Sequence, residues 1–161
     1  MQTGFLPFQH DHDRCKAGIL GKADAICRQK KVRLTPQRRE VLAILSGSHR
    51  CLGAYDILGQ MNGRTGRRLA PMAVYRSLEF LMDMGLVHRV GIRNAYFACT
   101  HPGHDQRPQF WICRHCDCVV ETESYAIANL LPQVAQDIGF NLETVNVELV
   151  GVCSDCKGEH S

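Results

Sequence analysis

The sequence has no apolar run near the roughly 18 residues that a membrane-spanning helix needs, so the chain is not expected to cross a bilayer. Its first residues, MQTGFLPFQHDHDRC, lack the basic start and apolar core of a signal peptide. Together these absences predict a cytoplasmic protein. Charge is also scarce: a net +3 over 161 residues is too little, by itself, to argue for nucleic acid. There is no repeat of solenoid period and no low-complexity tract, so neither a solenoid nor a disordered chain is expected. The H-x-E and P-C-x-x-C patterns of a zinc deaminase are missing as well.

What remains is an ordinary apolar share of 45%, enough for one compact domain or two small ones. Nine cysteines and eight histidines stand out against it. Cytosolic thiols stay reduced, so this many cysteines point to metal binding or catalysis rather than to a disulfide frame.

The first half reads as helical. ILGKADAICRQK (19–30) places Ile19, Ala23, Ile26 and Cys27 on one face. Thr35 and Pro36 form a start signal for TPQRREVLAILSGS, where Val41, Leu42 and Leu45 repeat at helical spacing. A short segment, AYDILGQM (54–61), precedes NGRTGRR (62–68), which reads as a loop. PMAVYRSLEFLMDMG (71–85) gives the strongest helix signal, with a stripe of Val74, Leu78, Leu81 and Met82. LVHRVG (86–91) and AYFAC (95–99) then read as a hairpin. Helices followed by a hairpin predict a winged helix-turn-helix, in which the helix before the wing enters the major groove.

THPGHDQRPQ (100–109) reads as a hinge. QFWICR and DCVVETE predict a second hairpin that turns at the cysteines. SYAIANLLPQVAQDIG (124–139) predicts a helix that Pro132 either kinks or starts, and TVNVELVG alternates as a strand. The expected class is therefore α+β. A poorly ordered tail (1–18) precedes a winged-helix domain (19–99), the hinge (100–109) and a small α/β domain (110–161).

Two Cys-x2-Cys pairs, Cys113 with Cys116 and Cys153 with Cys156, supply the four thiolates that tetrahedral zinc wants. The gap between them exceeds the usual ribbon spacing, so the fold must close it. Buried apolar thiols and a redox dithiol are the other readings. Trp111 hints at a dithiol, but the βαβ context of a thioredoxin-like fold is missing. Cys118 alternates away from Cys116 and is expected to be free. A second group, His88, Cys99, His101, His104, His115 and Glu121, straddles the hinge. Mixed N, S and O ligands from two domains suit a sensing site, because occupancy there becomes geometry. A lone His on a wing strand or a Glu on a strand is otherwise a solvated side chain.

VRLTPQRREVLAIL (32–45), AYDIL (54–58), VYRSLEFLMDMGLVHRV (74–90), AYFAC (95–99) and the two cysteine pairs together resemble the ferric uptake regulator family, in its bacterial zinc uptake branch. The resemblance covers about residues 19 to 157. It implies a winged helix joined to an α/β dimerisation domain. It also implies a homodimer that binds an AT-rich palindromic operator on double-stranded DNA when its regulatory metal is present. The expected function is then a zinc-responsive transcriptional repressor of zinc uptake genes, neither an enzyme nor a binder of a small-molecule substrate. The branch's regulatory site maps onto His88, Cys99, His104 and Glu121, with His101 as the alternative to His104. With a structural zinc on the four cysteines, that implies two zinc ions per chain. The iron branch's HHDH cluster is replaced here by HPGH, and a thiolate at Cys99 suits zinc better than ferrous iron. A sensor of iron, manganese or nickel is the alternative within the family, and a thiol-disulfide oxidoreductase the alternative outside it.

For DNA, the resemblance puts Tyr55 and Arg76 at base edges or their sugar-phosphate surround, with Tyr75 and Arg38 on the backbone. Arg76 lies off the apolar stripe and suits bidentate guanine contact. A half-buried aromatic between helices is the other reading of Tyr55. His10, His12 and Cys15 have no counterpart in the family and are assigned to the tail rather than to a metal site.

Overall fold

The computed structural model describes residues 12–47, 49–66, 68–103 and 108–157; the side chains of residues 12–15 and of Thr65 lie outside the description. The helices are α1 (His12–Gln29), α2 (Pro36–Leu45), α3 (Ala54–Thr65), α4 (Pro71–Asp83), α5 (Tyr125–Asp137) and a short α6 (Ser154–Lys157). The strands are β1 (Val87–Val90), β2 (Ala95–Ala98), β3 (Gln109–Cys113), β4 (Val119–Thr122) and β5 (Val147–Gly151). Among the described residues no helix is long and apolar enough to cross a membrane.

The local signals act as their chemistry dictates. Thr35 caps α2 by accepting from the Arg38 amide at 3.4 Å, and Pro36 fills the first turn, where a missing N–H costs nothing. Val74, Leu78 and Leu81 of α4 are fully buried, against α2 and α3. These helices and the inner wing residues Val87, Tyr96 and Ala98 make one core.

Three expectations need correction. Helix α1 begins at His12, so residues 12–18 are not a loose tail; HDRCKAG offers no proline to stop the helix extending backwards. The loop expected over 62–68 starts later, because α3 continues through Asn62 to Thr65 and stops at Gly66, whose left-handed φ of 65° lets its amide bond the Asn62 carbonyl at 3.0 Å. Pro132 does not start α5, which is capped by Ser124 and runs through the proline, so of the two readings the helix start is excluded.

In the second sheet β3 lies between β4 and β5, antiparallel to the first and parallel to the second. The parallel pairing sets Cys113 beside Gly151, so both strands end at the same edge. The two cysteine knuckles follow those strand ends, and the long gap between them is closed by α5 and the return of β5.

The wing and the second sheet do not stand apart. Val90 and Phe97 of the wing share a small core with Phe110, Ile112 and Val119. Residues 49–52 stitch the two sheets together: Leu52 and Tyr96 exchange backbone bonds at 2.9 and 2.8 Å, and the Val119 amide reaches the His49 carbonyl at 2.8 Å. Arg93 pairs with Asp117 at 3.0 Å. The Glu148 carboxylate of β5 accepts the wing-turn amides of Gly91 and Ile92 at 2.7 and 2.9 Å.

That last contact is testable. Burial works against the Glu148 charge, but the Ile92 and Gly91 amides outweigh it and hold its carboxyl below the usual range. The contact is therefore present above the ordinary carboxylate pKa and is lost as pH falls through the depressed value. In Glu148→Ala, hydrogen exchange at Gly91 and Ile92 should accelerate by roughly tenfold, the loss expected for a charged hydrogen bond. Unchanged protection of these two amides would show that the wing turn does not depend on Glu148.

Candidate metal centres and nucleic-acid interface

The sulfurs of Cys113, Cys116, Cys153 and Cys156 all lie within 4.8 Å of one another. The first knuckle closes through the Asp117 amide on the Cys113 carbonyl at 3.1 Å, with Asp117 at a left-handed φ of 57°. Cys113 donates its amide to the Cys118 carbonyl at 2.9 Å, and the Cys153 amide points at the Cys113 sulfur at 3.5 Å. Burial opposes a thiolate at Cys113, but the amides of Cys153, Cys116 and His115 outweigh it and bring its pKa down to about 6. Cys156 moves the other way, raised first by its hydrogen bond with Cys153. Such a cluster holds some negative charge but resists four charges, and a dication would relieve that conflict. Cys118 is buried and stays outside the four-sulfur group.

The second group has three donors from three elements: His88 on β1, Cys99 just past β2 and Glu121 on β4, again within 4.8 Å of one another. His88 pairs across the wing with Phe97, and its ring packs against Phe110 with centroids 5.1 Å apart. Its Nε2 is buried and sits 3.3 Å from Glu121 Oε1, without a well-aligned hydrogen bond among the described residues. Cys99 is anchored by its amide on the Leu86 carbonyl at 3.0 Å, and its thiol lies 3.7 Å from Glu121 Oε1. A buried imidazole nitrogen facing a thiol and a carboxylate is a donor set that fits zinc.

Thr100, which the sequence did not single out, completes the arrangement. Its amide and hydroxyl donate to Glu121 Oε2 at 2.8 and 2.7 Å. No motif marks such a residue; only the fold brings it to Glu121. His101 is exposed, with Nδ1 3.0 Å from the Thr100 hydroxyl, and is not among the three close donors. His104 lies outside the described residues, as do His10 and the side chains of His12 and Cys15. His115 is exposed and belongs to neither group.

Arg76 is exposed on α4 and shares a groove of about 250 Å³ with Thr35, Gln37, Arg38, Ala73 and Ser77. Arg38 is half-buried; its guanidinium lies 3.6 Å above the Phe80 ring and donates to the Arg33 carbonyl at 2.8 Å. Tyr75 is exposed. Tyr55 is 70% exposed, so the half-buried reading of it does not hold.

The charges at the three-donor site have a consequence for the metal-free protein. Burial pushes the Cys99 thiol up to about 12, helped by the Glu121 charge. Burial also resists the Glu121 carboxylate, but His88 and the two Thr100 donors outweigh it and hold its pKa at about 2. A depressed carboxyl contributes stability that is present above its unfolded value and lost as pH falls through the folded one. Acid unfolding of metal-free Glu121→Gln should therefore lose pH dependence between about pH 4.5 and 2, the range between the unfolded and folded values. A variant whose circular dichroism followed the parent's acid limb throughout would contradict this assignment.

The Ferric uptake regulator family matches residues 29–150. The Zinc uptake regulation protein of Escherichia coli (strain K12) is 35% identical over 141 residues, covering 86% of this chain and 81% of that protein. The solved "Zinc Uptake Regulator Complexed With Zinc AND DNA" superposes with a TM-score of 0.84 at 32% identity, over 89% of this chain and 96% of that one. XcZur, 31% identical, superposes with a TM-score of 0.78 in its holo form, over 88% of this chain and 98% of that one, against 0.53 in its apo form, over 89% and 99%. A family match across most of the chain, and a relative above 30% identity across most of both proteins, are more than a shared fold: the chain belongs to the ferric uptake regulator family.

Proposed function

We propose that this protein is a zinc-responsive transcriptional repressor that binds operator DNA as a homodimer and controls zinc uptake genes. The observation that carries the reading is the three-donor site. Its ligands come from the wing on one side and from the second sheet on the other, and the buried His88 Nε2 faces Glu121 Oε1 at 3.3 Å without a well-aligned hydrogen bond among the described residues. Greater likeness to the holo than to the apo form of XcZur supports the same view.

His88, Cys99 and Glu121 would hold the regulatory ion, with His104 or His101 as the fourth ligand. Bound there, zinc would supply a positive charge that thiolate and carboxylate share across the seam. His88 and Cys99 position the wing against β4 through that shared site, and Glu121 is already ionised to receive it. Cys113, Cys116, Cys153 and Cys156 would hold a second, structural zinc that ties the end of β5 to the end of β3. A cytoplasmic regulator needs no catalytic group, and the exposed face of α4 suits a reading head. Leu130 and Val134 of α5 and Ile138 just past its end are 56, 45 and 71% exposed, and Phe140 and Val150 are 61% and 47% exposed. That much apolar surface favours a homodimer.

Arg76 and Tyr55 meet base edges or their sugar-phosphate surround in this view, with Tyr75 and Arg38 on the backbone. Arg76→Ala should weaken binding to selected DNA by roughly 1–3 kcal/mol for a bidentate base contact, while zinc content stays unchanged. Equal losses on selected and random DNA would make Arg76 a phosphate contact instead.

The switch itself is tested at Cys99. DNA selected from a random pool by the zinc-loaded protein serves as operator, and binding is titrated against zinc, iron, manganese and nickel in metal buffers. The parent should gain affinity at the lowest free concentration with zinc. Cys99→Ser should fold and dimerise yet show no gain as free zinc rises, because the switch works through differential affinity for the closed arrangement. An unchanged zinc response in that variant would move the sensor elsewhere, and a response led by another metal would favour the rival within the family.

A further inference from the structure

We propose that Thr100 is a specificity-determining residue: it holds one oxygen of Glu121 away from the metal site, so that Glu121 offers a single oxygen and the site favours low-coordinate zinc over cations that want more oxygen ligands. The inference rests on reading the three-donor group as a metal site.

The two oxygens of Glu121 have different surroundings. Oε1 faces His88 Nε2 at 3.3 Å and the Cys99 sulfur at 3.7 Å. Oε2 accepts from the Thr100 amide at 2.8 Å and from its hydroxyl at 2.7 Å. The Glu121 side chain is 4% exposed, so water has little access to replace either partner. Turning Oε2 toward the other donors would break both bonds to half-buried Thr100, each a hydrogen bond to a charged group. Glu121 therefore presents one oxygen. A four-coordinate zinc site with N, S and O donors needs only one. Larger, harder cations take six or more ligands and use carboxylates in either one- or two-oxygen mode. The restraint thus acts against them more than against zinc.

Thr100 follows Cys99 directly, so one dipeptide supplies a ligand and orients another from the opposite side of the seam. The hydroxyl has one hydrogen, and it goes to Glu121 Oε2. Its contact with His101 Nδ1 at 3.0 Å is then a hydrogen bond only if Nδ1 carries the proton.

The test uses the full-length protein with its first zinc in place and cobalt(II) as a spectroscopic probe of the remaining site. Wild type should give the intense visible bands of four-coordinate cobalt, and Cys99→Ser should remove them. Thr100→Val keeps the shape and the amide but loses the hydroxyl. It should weaken zinc binding by about tenfold, the low end of what losing an outer-shell partner costs, shift cobalt toward the weak bands of higher coordination and narrow the zinc-to-manganese affinity ratio. Thr100→Ser should restore all three. A Thr100→Val protein with the wild-type cobalt spectrum and affinity ratio would overturn the role of Thr100 and leave the metal site standing. Absence of bands that depend on Cys99 in wild type would overturn the site and this inference with it. Should Thr100→Val lose its circular dichroism signal, Thr100→Ala read in the same way decides.

Discussion

The ionised Glu121 carboxylate is the constraint around which this chain is arranged. A buried charge is costly unless it is paired and hydrogen-bonded. The partners of Glu121 do not lie on its own sheet. They are His88 and Cys99 from the wing, and Thr100 just beyond it. Ionising Glu121 therefore requires the wing to sit against β4, and moving the wing away strips the charge of its partners. Packing at the seam and electrostatics at the site are one condition.

The rest of the seam supports that condition without touching the site. Val90 and Phe97 meet Phe110, Ile112 and Val119 in a small apolar core. The 49–52 segment bonds the wing through Leu52 and the second sheet through His49 and Cys51. Glu148 and the Arg93–Asp117 pair hold the wing turn from the side of the cysteine knuckles. Asp117 immediately follows Cys116, so the knuckle that shapes the four-sulfur group also presents a charge to the wing. The two candidate metal sites are thus mechanically connected through the turn between β3 and β4.

Much of the site was legible in the sequence because its signals are local. Paired cysteines at x2 spacing declare a knuckle, and a Pro36 or Pro71 at a helix start declares a boundary. His88, Cys99 and Glu121 came from the family resemblance, and the fold does bring their donor atoms together. Thr100, Glu148 and the 49–52 segment stayed hidden for a physical reason. Each acts across the seam on a partner 21 to 70 positions away, and a threonine or a glutamate carries no spacing signature of its own. The start of α1 was missed because nothing local marks it, and the end of α3 because Asn-Gly-Arg-Thr reads as a turn until Gly66 closes the helix one residue later.

The division of labour at the seam bears on how large a signal the metal must provide. If the three donors alone joined the two sheets, the metal-free protein would be wholly open, and binding would have to supply the full free energy of closure. Here the shared apolar core, the backbone bonds of residues 49–52, the Glu148 contacts and the His88–Glu121 pair already favour the packed arrangement. A ligand moves a two-state equilibrium only by its differential affinity for the two states. The nearer the metal-free balance lies to even, the smaller that differential need be, and the less binding energy is spent on closure. A seam held together by many metal-independent contacts would leave that balance adjustable by a single ion.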